Sequence, residues 1–191
     1  MAVEYELKFR ADGAVLQALS KEFPEHHTHF QMQTTYYDTP SRTLSARHYT
    51  LRLRQENLKT VCTLKSPAKG YGRQELEIEC KTIEEGVKVL CKLDCPTDFP
   101  SLVAEGVTEV CGAKFHRIAI PVITDRFQAE LALDEGMLFH KDRTIPLCEV
   151  ELEYKGGDCE EMTAYARILA ALYGLEPEEK SKFARALQLG E

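Results

Sequence analysis

Apolar and charged residues alternate strictly in three stretches of this chain. Tyr5, Leu7 and Phe9 interleave with Glu4, Glu6 and Lys8; Leu76, Ile78 and Cys80 with Glu75, Glu77 and Glu79; Val150, Leu152 and Tyr154 with Glu149, Glu151 and Glu153. A period of two predicts a strand with one apolar and one charged face. One such segment is an ordinary half-buried strand. Three carboxylate faces imply a shared acidic wall, which repels itself unless cations occupy it.

The first strand is expected over Val3 to Arg10, then a short helix capped by Asp12 and ending near Pro24. Strands follow over Phe30 to Tyr37, Tyr49 to Gln55, Lys59 to Ser66 and Arg73 to Glu79. Thr82 with Glu85 forms a capping box for a helix through Leu90. Residues 94 to 110 read as loop and short helix. Three strands are expected over Cys111 to Pro121, Val122 to Asp134 and Met137 to Lys141, with an Asp134-Glu135-Gly136 turn between the last two. After the strand Cys148 to Lys155, Asp158 with Glu161 opens a helix ended by Gly174. Pro177 starts a final helix to about Leu189. No linker interrupts this order, so residues 1–191 are expected as one domain.

Composition narrows the picture modestly. Charged residues make up 29% and hydrophobic ones 43%, which fits a globular protein. The formal charge of -7 argues against nucleic acid as a partner. No apolar run approaches the ~20 residues of a membrane span, and with the first strand expected from Val3 no leader is expected. The cysteines number seven, an odd count, without a CxxC pair. They read as small buried hydrophobes in a reducing, cytoplasmic setting.

The basic residues are patterned too. Arg52 and Arg54 share one strand face, Lys65 sits on the hairpin partner, and Arg126 stands at even offsets from Glu130 and Asp134. The opposite faces are apolar and would be covered by helices. The charged faces would then point at one another across a lumen. An α+β fold with an eight-stranded antiparallel β-barrel, or tunnel, and helices packed outside accommodates this. Unpaired buried charges are costly, so such a lumen asks for a ligand matching both signs. A polyphosphate with Mg²⁺ or Mn²⁺ does so. Against this stands the ordinary reading of exposed cross-strand ion pairs worth a few tenths of a kcal/mol. It suits any single pair better than it suits several strands with the same habit.

Glu4-Tyr5-Glu6-Leu7-Lys8 resembles the ExExK start of the CYTH domain, or triphosphate tunnel metalloenzyme, family. Tyr36-Tyr37-Asp38-Thr39-Pro40, Leu51-Arg52-Leu53-Arg54, Thr63-Leu64-Lys65, Arg73-Gln74-Glu75-Leu76-Glu77, Asp125-Arg126, Glu149-Val150-Glu151-Leu152-Glu153 and Lys180-Ser181-Lys182-Phe183-Ala184-Arg185 are similar to its later motifs, in order. The resemblance implies a tunnel that binds a triphosphate substrate, in a monomer or homodimer. It makes Glu4, Glu6, Glu149 and Glu151 metal-ligand candidates and adds Glu75 and Glu77 to the acidic wall. Lys8, Arg52, Arg54, Lys65, Arg126 and Lys182 would bind phosphate. Arg73 is either a phosphate contact or a loop residue, and Arg185 reads as a brace for Lys182. Glu4, Glu6, Lys8 and Arg54 are expected to carry catalysis.

The activity this implies is hydrolysis of inorganic triphosphate. Thiamine triphosphatase and class IV adenylyl cyclase share the scaffold; the first would need an apolar or aromatic shelf, the second an adenine pocket. A non-catalytic polyphosphate-binding module would need only the basic set. His26, His27 and His29 read as a solvated turn rather than a metal cluster, and His116 and His140 as surface or strand residues. Lys69-Gly70-Tyr71-Gly72-Arg73 lacks P-loop spacing and reads as a flap.

Overall fold

Alternation along the chain builds one antiparallel sheet. The computed structural model describes residues 3–23, 26–67 and 73–190. Its strands are β1 (Val3–Glu4), β2 (Glu6–Arg10), β3 (Thr28–Asp38), β4 (Thr50–Glu56), β5 (Lys59–Pro67), β6 (Arg73–Glu79), β7 (Thr108–Ile123), β8 (Phe127–His140), β9 (Arg143–Gly157) and β10 (Glu176–Pro177). Their order is β1-β6-β5-β4-β3-β7-β8-β9-β2-β10. The expected eight-stranded closed barrel is therefore corrected to a ten-stranded antiparallel sheet that hydrogen bonds do not close. β1 pairs with β6 and β2 with β9, at opposite ends of the order, yet Tyr5 alone separates them along the chain. The chain itself thus ties the two sides of the sheet together.

The helices are α1 (Gly13–Glu22), α2 (Thr43–Ala46), α3 (Ile83–Leu90), α4 (Phe99–Leu102), α5 (Cys159–Tyr173) and α6 (Lys182–Gln188). Local chemistry sets their ends. Asp12 accepts from the Val15 amide at 2.8 Å, Thr82 from Glu85 at 3.3 Å, and Asp158 from Glu160 and Glu161. Gly174, at φ 61°, ends α5 in the left-handed region that favours glycine. None of these helices is long and apolar enough to cross a membrane.

Two apolar clusters lie on the outer face. Leu16 and Leu19 of α1 and Met162, Ala166 and Leu169 of α5 cover Leu131, Leu133, Val150 and Leu152. Ile83 and Leu90 of α3 and Phe99 of α4 cover Leu51, Cys62 and Leu64. The third cluster corrects the expectation that every helix packs outside. Ala186, with Phe183 and Leu187, packs against Met32, Tyr36, Phe115, Leu138 and Leu147. Met32, Tyr36 and Phe115 line the inner cavity, so α6 plugs the inside of the sheet.

Three boundaries also differ. The expected breaks at Pro121/Val122 and at Asp134-Glu135-Gly136 lie within continuous strands, and the turn falls at residues 124–126. Gly136 marks a close approach instead: a Cβ there would stand 2.2 Å from the Lys114 carbonyl oxygen. Pro177 belongs to β10, and the final helix starts later, capped by Ser181. Pro24 and the flap residues Lys69 to Gly72 lie outside the described residues.

Candidate functional site

Side chains from β2 to β9 and from α6 line one cavity of about 740 Å³. A single space bounded by eight strands requires the sheet to roll around it, charged face inward. Cross-strand register decides who meets whom.

On one wall, Lys65 stands opposite Thr50 and Glu75, and Thr63 opposite Arg52 and Glu77. Arg52 reaches Glu75 at 3.5 Å and Glu77 at 3.6 Å; Arg54 reaches Glu77, and Lys65 reaches Glu75, also at 3.6 Å. Arg54 additionally pairs with Glu56. Burial, then the neighbouring Arg52 charge, lowers the pKa of Arg54, and its Nε has no hydrogen-bond partner among the described residues. Burial pushes Glu77 up, but a 2.8 Å hydrogen bond from Thr63 and the charges of Arg54, Arg52 and Lys65 leave it below its ordinary value. The wall is a set of loosely matched charges with cations crowded together.

The opposite wall is tight. On β8 and β9, Asp134 lies across from Glu149. Asp134, Glu149 and Glu151 offer oxygens within 4.8 Å of one another. Lys182 of α6 enters their midst, 2.9 Å from Asp134 and 2.7 Å from Glu151, and also contacts Glu149. Arg117 of β7 grips Asp134 through two hydrogen bonds of 2.7 Å and reaches Glu151 at 2.5 Å. Arg185 holds Glu149 and, at 3.4 Å, Glu178. Burial opposes the charge of Lys182 and Arg117, but these carboxylates raise both above their ordinary values. Burial likewise works against Glu151, yet Lys182 and Arg117 hold it well below 4.5; burial and the Glu151 charge instead push Glu149 up, to about 7.

The all-oxygen donor set of this triad suits a hard divalent ion such as Mg²⁺ or Mn²⁺. The Lys182 ammonium shares the same centre, so ion and lysine compete for the same oxygens.

Of the sequence candidates, Glu6, Lys8, Arg52, Arg54, Lys65, Arg73, Glu75, Glu77, Glu151 and Lys182 all line the cavity. Glu6 lies opposite Glu153 and Lys8 opposite Glu151, with Lys8 3.4 Å from Glu6. Arg73 is a rim residue whose Nη2 donates to the His48 carbonyl at 2.7 Å and to Thr50 at 3.1 Å. Glu149 is fully buried behind the lining, against Arg185 and Lys182. The Glu4 side chain lies outside the described residues.

Arg126 is a correction. β8 begins at Phe127, so the even-offset row through Glu130 and Asp134 does not extend to it. Arg126 stands in the preceding turn, 63% exposed, and pairs with Asp158 and Glu161 at 3.2 Å. The arginine inside is Arg117, which sequence reasoning passed over. Its signal was a lone charge in the alternate row Ala113, Phe115, Ala119. Phe30, Met32, Tyr36, Phe115 and Phe183 also line the cavity, an apolar shelf that the charge pattern did not anticipate.

The CYTH domain matches residues 2–187. An inorganic triphosphatase of Haemophilus influenzae is 24% identical over 200 residues, covering 100% of this chain; the chain spans 56% of that relative's length. A solved Hippeastrum protein, an adenylyl cyclase candidate described as having a dominant triphosphatase activity, superposes with a TM-score of 0.72 at 21% identity, covering 98% of this chain and 96% of its own. A Bacillus halodurans adenylate cyclase candidate gives 0.65 at 17% identity, covering 94% of each chain. At these identities the two structures speak to fold alone.

Proposed function

The chain belongs to the CYTH domain family, and from that premise we propose that it is a metal-dependent triphosphatase splitting inorganic triphosphate into pyrophosphate and phosphate. The observation that carries this reading is Arg54. A guanidinium buried beside Arg52, its pKa lowered and its Nε unmatched, is relieved by an incoming polyanion. Arg52, Arg54, Lys65 and Lys8 bind phosphoryl oxygens and neutralise the charge that builds on them as the anhydride bond breaks. Glu75 and Glu77 at 3.5–3.6 Å and Glu6 at 3.4 Å orient these cations without consuming them, while Glu56 holds one Nη of Arg54. The attacking water forms the new P–O bond on the terminal phosphorus, its proton passing to a cavity carboxylate, and pyrophosphate leaves.

Asp134, Glu149 and Glu151 would hold Mg²⁺ or Mn²⁺, with Lys182 giving way. When bound there, the ion would supply Lewis-acid charge for phosphoryl transfer.

A second reading is favoured by the shelf of Phe30, Met32, Tyr36, Phe115 and Phe183. An aromatic head group stacked there would make thiamine or nucleoside triphosphate the substrate. Phosphate release measured with inorganic triphosphate, thiamine triphosphate and ATP, each with Mg²⁺ or Mn²⁺, separates the readings. Fastest turnover of inorganic triphosphate is expected. Cyclic AMP formed from ATP in preference to phosphate release would overturn the triphosphatase reading.

A further inference from the structure

Glu178 is buried, 5% exposed, yet does not line the large cavity. It follows β10 and lines a smaller pocket together with Arg10, Lys180 and Arg185. Both of its carboxylate oxygens are engaged. Oε1 accepts from the Lys180 amide at 2.9 Å, in the segment that leads into α6. Oε2 accepts from Arg10 Nε of β2 at 2.8 Å and from Arg185 Nη1 of α6 at 3.4 Å. The other terminal nitrogen of Arg185, Nη2, donates to Glu149. The Glu178 amide donates to the Lys8 carbonyl at 2.9 Å, on the strand that carries Glu6 and Lys8 into the cavity. Burial pushes Glu178 up, but the Lys180 amide, Arg10 and Arg185 hold it below its ordinary value, so the carboxylate is charged.

Resting on the metal-dependent reading above, we propose that Glu178 is a positioning residue: it holds the Arg185 guanidinium between two carboxylates and so keeps Glu149 available to a divalent ion. Arg185 is a resident competitor for the Glu149 oxygens. With Glu178 on one terminal nitrogen and Glu149 on the other, its charge is shared and its orientation fixed. Neutralise Glu178, and Glu149 is the one carboxylate left to Arg185 among its described ion pairs. The guanidinium is then released to close on Glu149 through both terminal nitrogens, the geometry in which arginine binds carboxylate most strongly. An ion would have to displace that stronger partner. Groups one layer behind the ligands commonly tune metal centres in this way, and losing one costs roughly 10–100-fold in metal affinity or activity.

The test uses the full chain, stripped with chelator. Mn²⁺ is titrated without triphosphate and the free ion is read by electron paramagnetic resonance; the Mn²⁺ concentration that half-activates triphosphate hydrolysis is measured separately. Glu178→Gln keeps the shape and removes the charge. It is expected to raise the Mn²⁺ dissociation constant and the half-activating concentration by roughly tenfold or more, with kcat at saturating Mn²⁺ close to wild type. Glu178→Asp, with its charge one methylene short, should fall between, and it carries the measurement where Glu178→Gln does not fold. In an Arg185→Gln background, Glu178→Gln should add nothing, because the two act through one guanidinium. Unchanged Mn²⁺ affinity in both Glu178 variants, with any loss confined to urea stability, would make Glu178 a brace and overturn the proposal. An undiminished effect in the Arg185→Gln background would overturn it too. Glu178-dependent Mn²⁺ binding in a chain that does not hydrolyse triphosphate would overturn the proposed function and leave the role of Glu178 standing; a wild-type chain that binds no Mn²⁺ would overturn both.

Discussion

The two walls of the cavity hold similar residues in opposite states. On β7, β8, β9 and α6, carboxylates and cations meet at 2.5–2.9 Å and leave little charge unmatched. On β4, β5 and β6, Arg52, Arg54 and Lys65 stand 3.5–3.6 Å from Glu75 and Glu77, and Arg54 also has a closer partner, Glu56. The tight wall is neutralised by Lys182, Arg117 and Arg185 and so docks α6, and a metal ion enters it only where Lys182 gives way. The loose wall keeps Arg52, Arg54 and Lys65 crowded and facing the cavity. Charge count does not separate them; distance and burial do.

The comparison can be broken most forcefully at Lys182. Its removal leaves three clustered carboxylates short of a cation, and Lys182→Met should destabilise the fold by about 3–5 kcal/mol in urea unfolding. Adding Glu151→Gln should recover part of that loss, a coupling readable in a double-mutant cycle. Full stability in Lys182→Met would mean that the tight wall does not dock α6.

On the loose wall the effect should fall on catalysis instead. Arg54→Ala is expected to lower kcat/KM for triphosphate by about 10²–10³-fold, with an unfolding midpoint equal to or above wild type, since a buried cation beside Arg52 is gone. Collapse of the fold rather than the rate would make Arg54 a structural residue.

Acid sharpens the contrast more gently. Glu151 is held well below its ordinary value of 4.5. Its contribution is therefore complete above about that pH and disappears as the pH falls through the depressed value. Without Lys182, part of that depression is lost, so Lys182→Met should lose less stability in acid and finish losing it at a higher pH than wild type. Circular dichroism across an acid titration reads this directly; coincident acid transitions would count against it.

The smallest effect belongs to Arg126. Its exposed pairs with Asp158 and Glu161 predict a change of no more than about 0.5 kcal/mol for Arg126→Ala, with triphosphate turnover unchanged. A large loss of turnover would return Arg126 to the site.

Much of this was legible in sequence because alternation is a local property. Glu75 and Glu77 must share a face wherever their strand goes, as must Arg52 and Arg54, and Leu76 or Leu53 must take the other. Caps were equally local: Asp12, Thr82 and Asp158 bond to amides within three residues. The break expected at Asp134-Glu135-Gly136 failed because glycine marks both turns and close backbone approaches, and only the neighbouring strand at Lys114 distinguishes them. Arg126 failed because its parity was projected across the turn before β8.

The sequence by itself determined most of the strands and their two-faced chemistry, since each depends on near neighbours and a fixed period. Tertiary structure alone decided which charges touch. It put Arg117 rather than Arg126 inside and drove α6 inward, so that Lys182 closes on Asp134, Glu149 and Glu151. It also brought His116 beside His29 from 87 residues away. Pairing across strands depends on register and on how the sheet rolls, and neither is written in any local window of the chain.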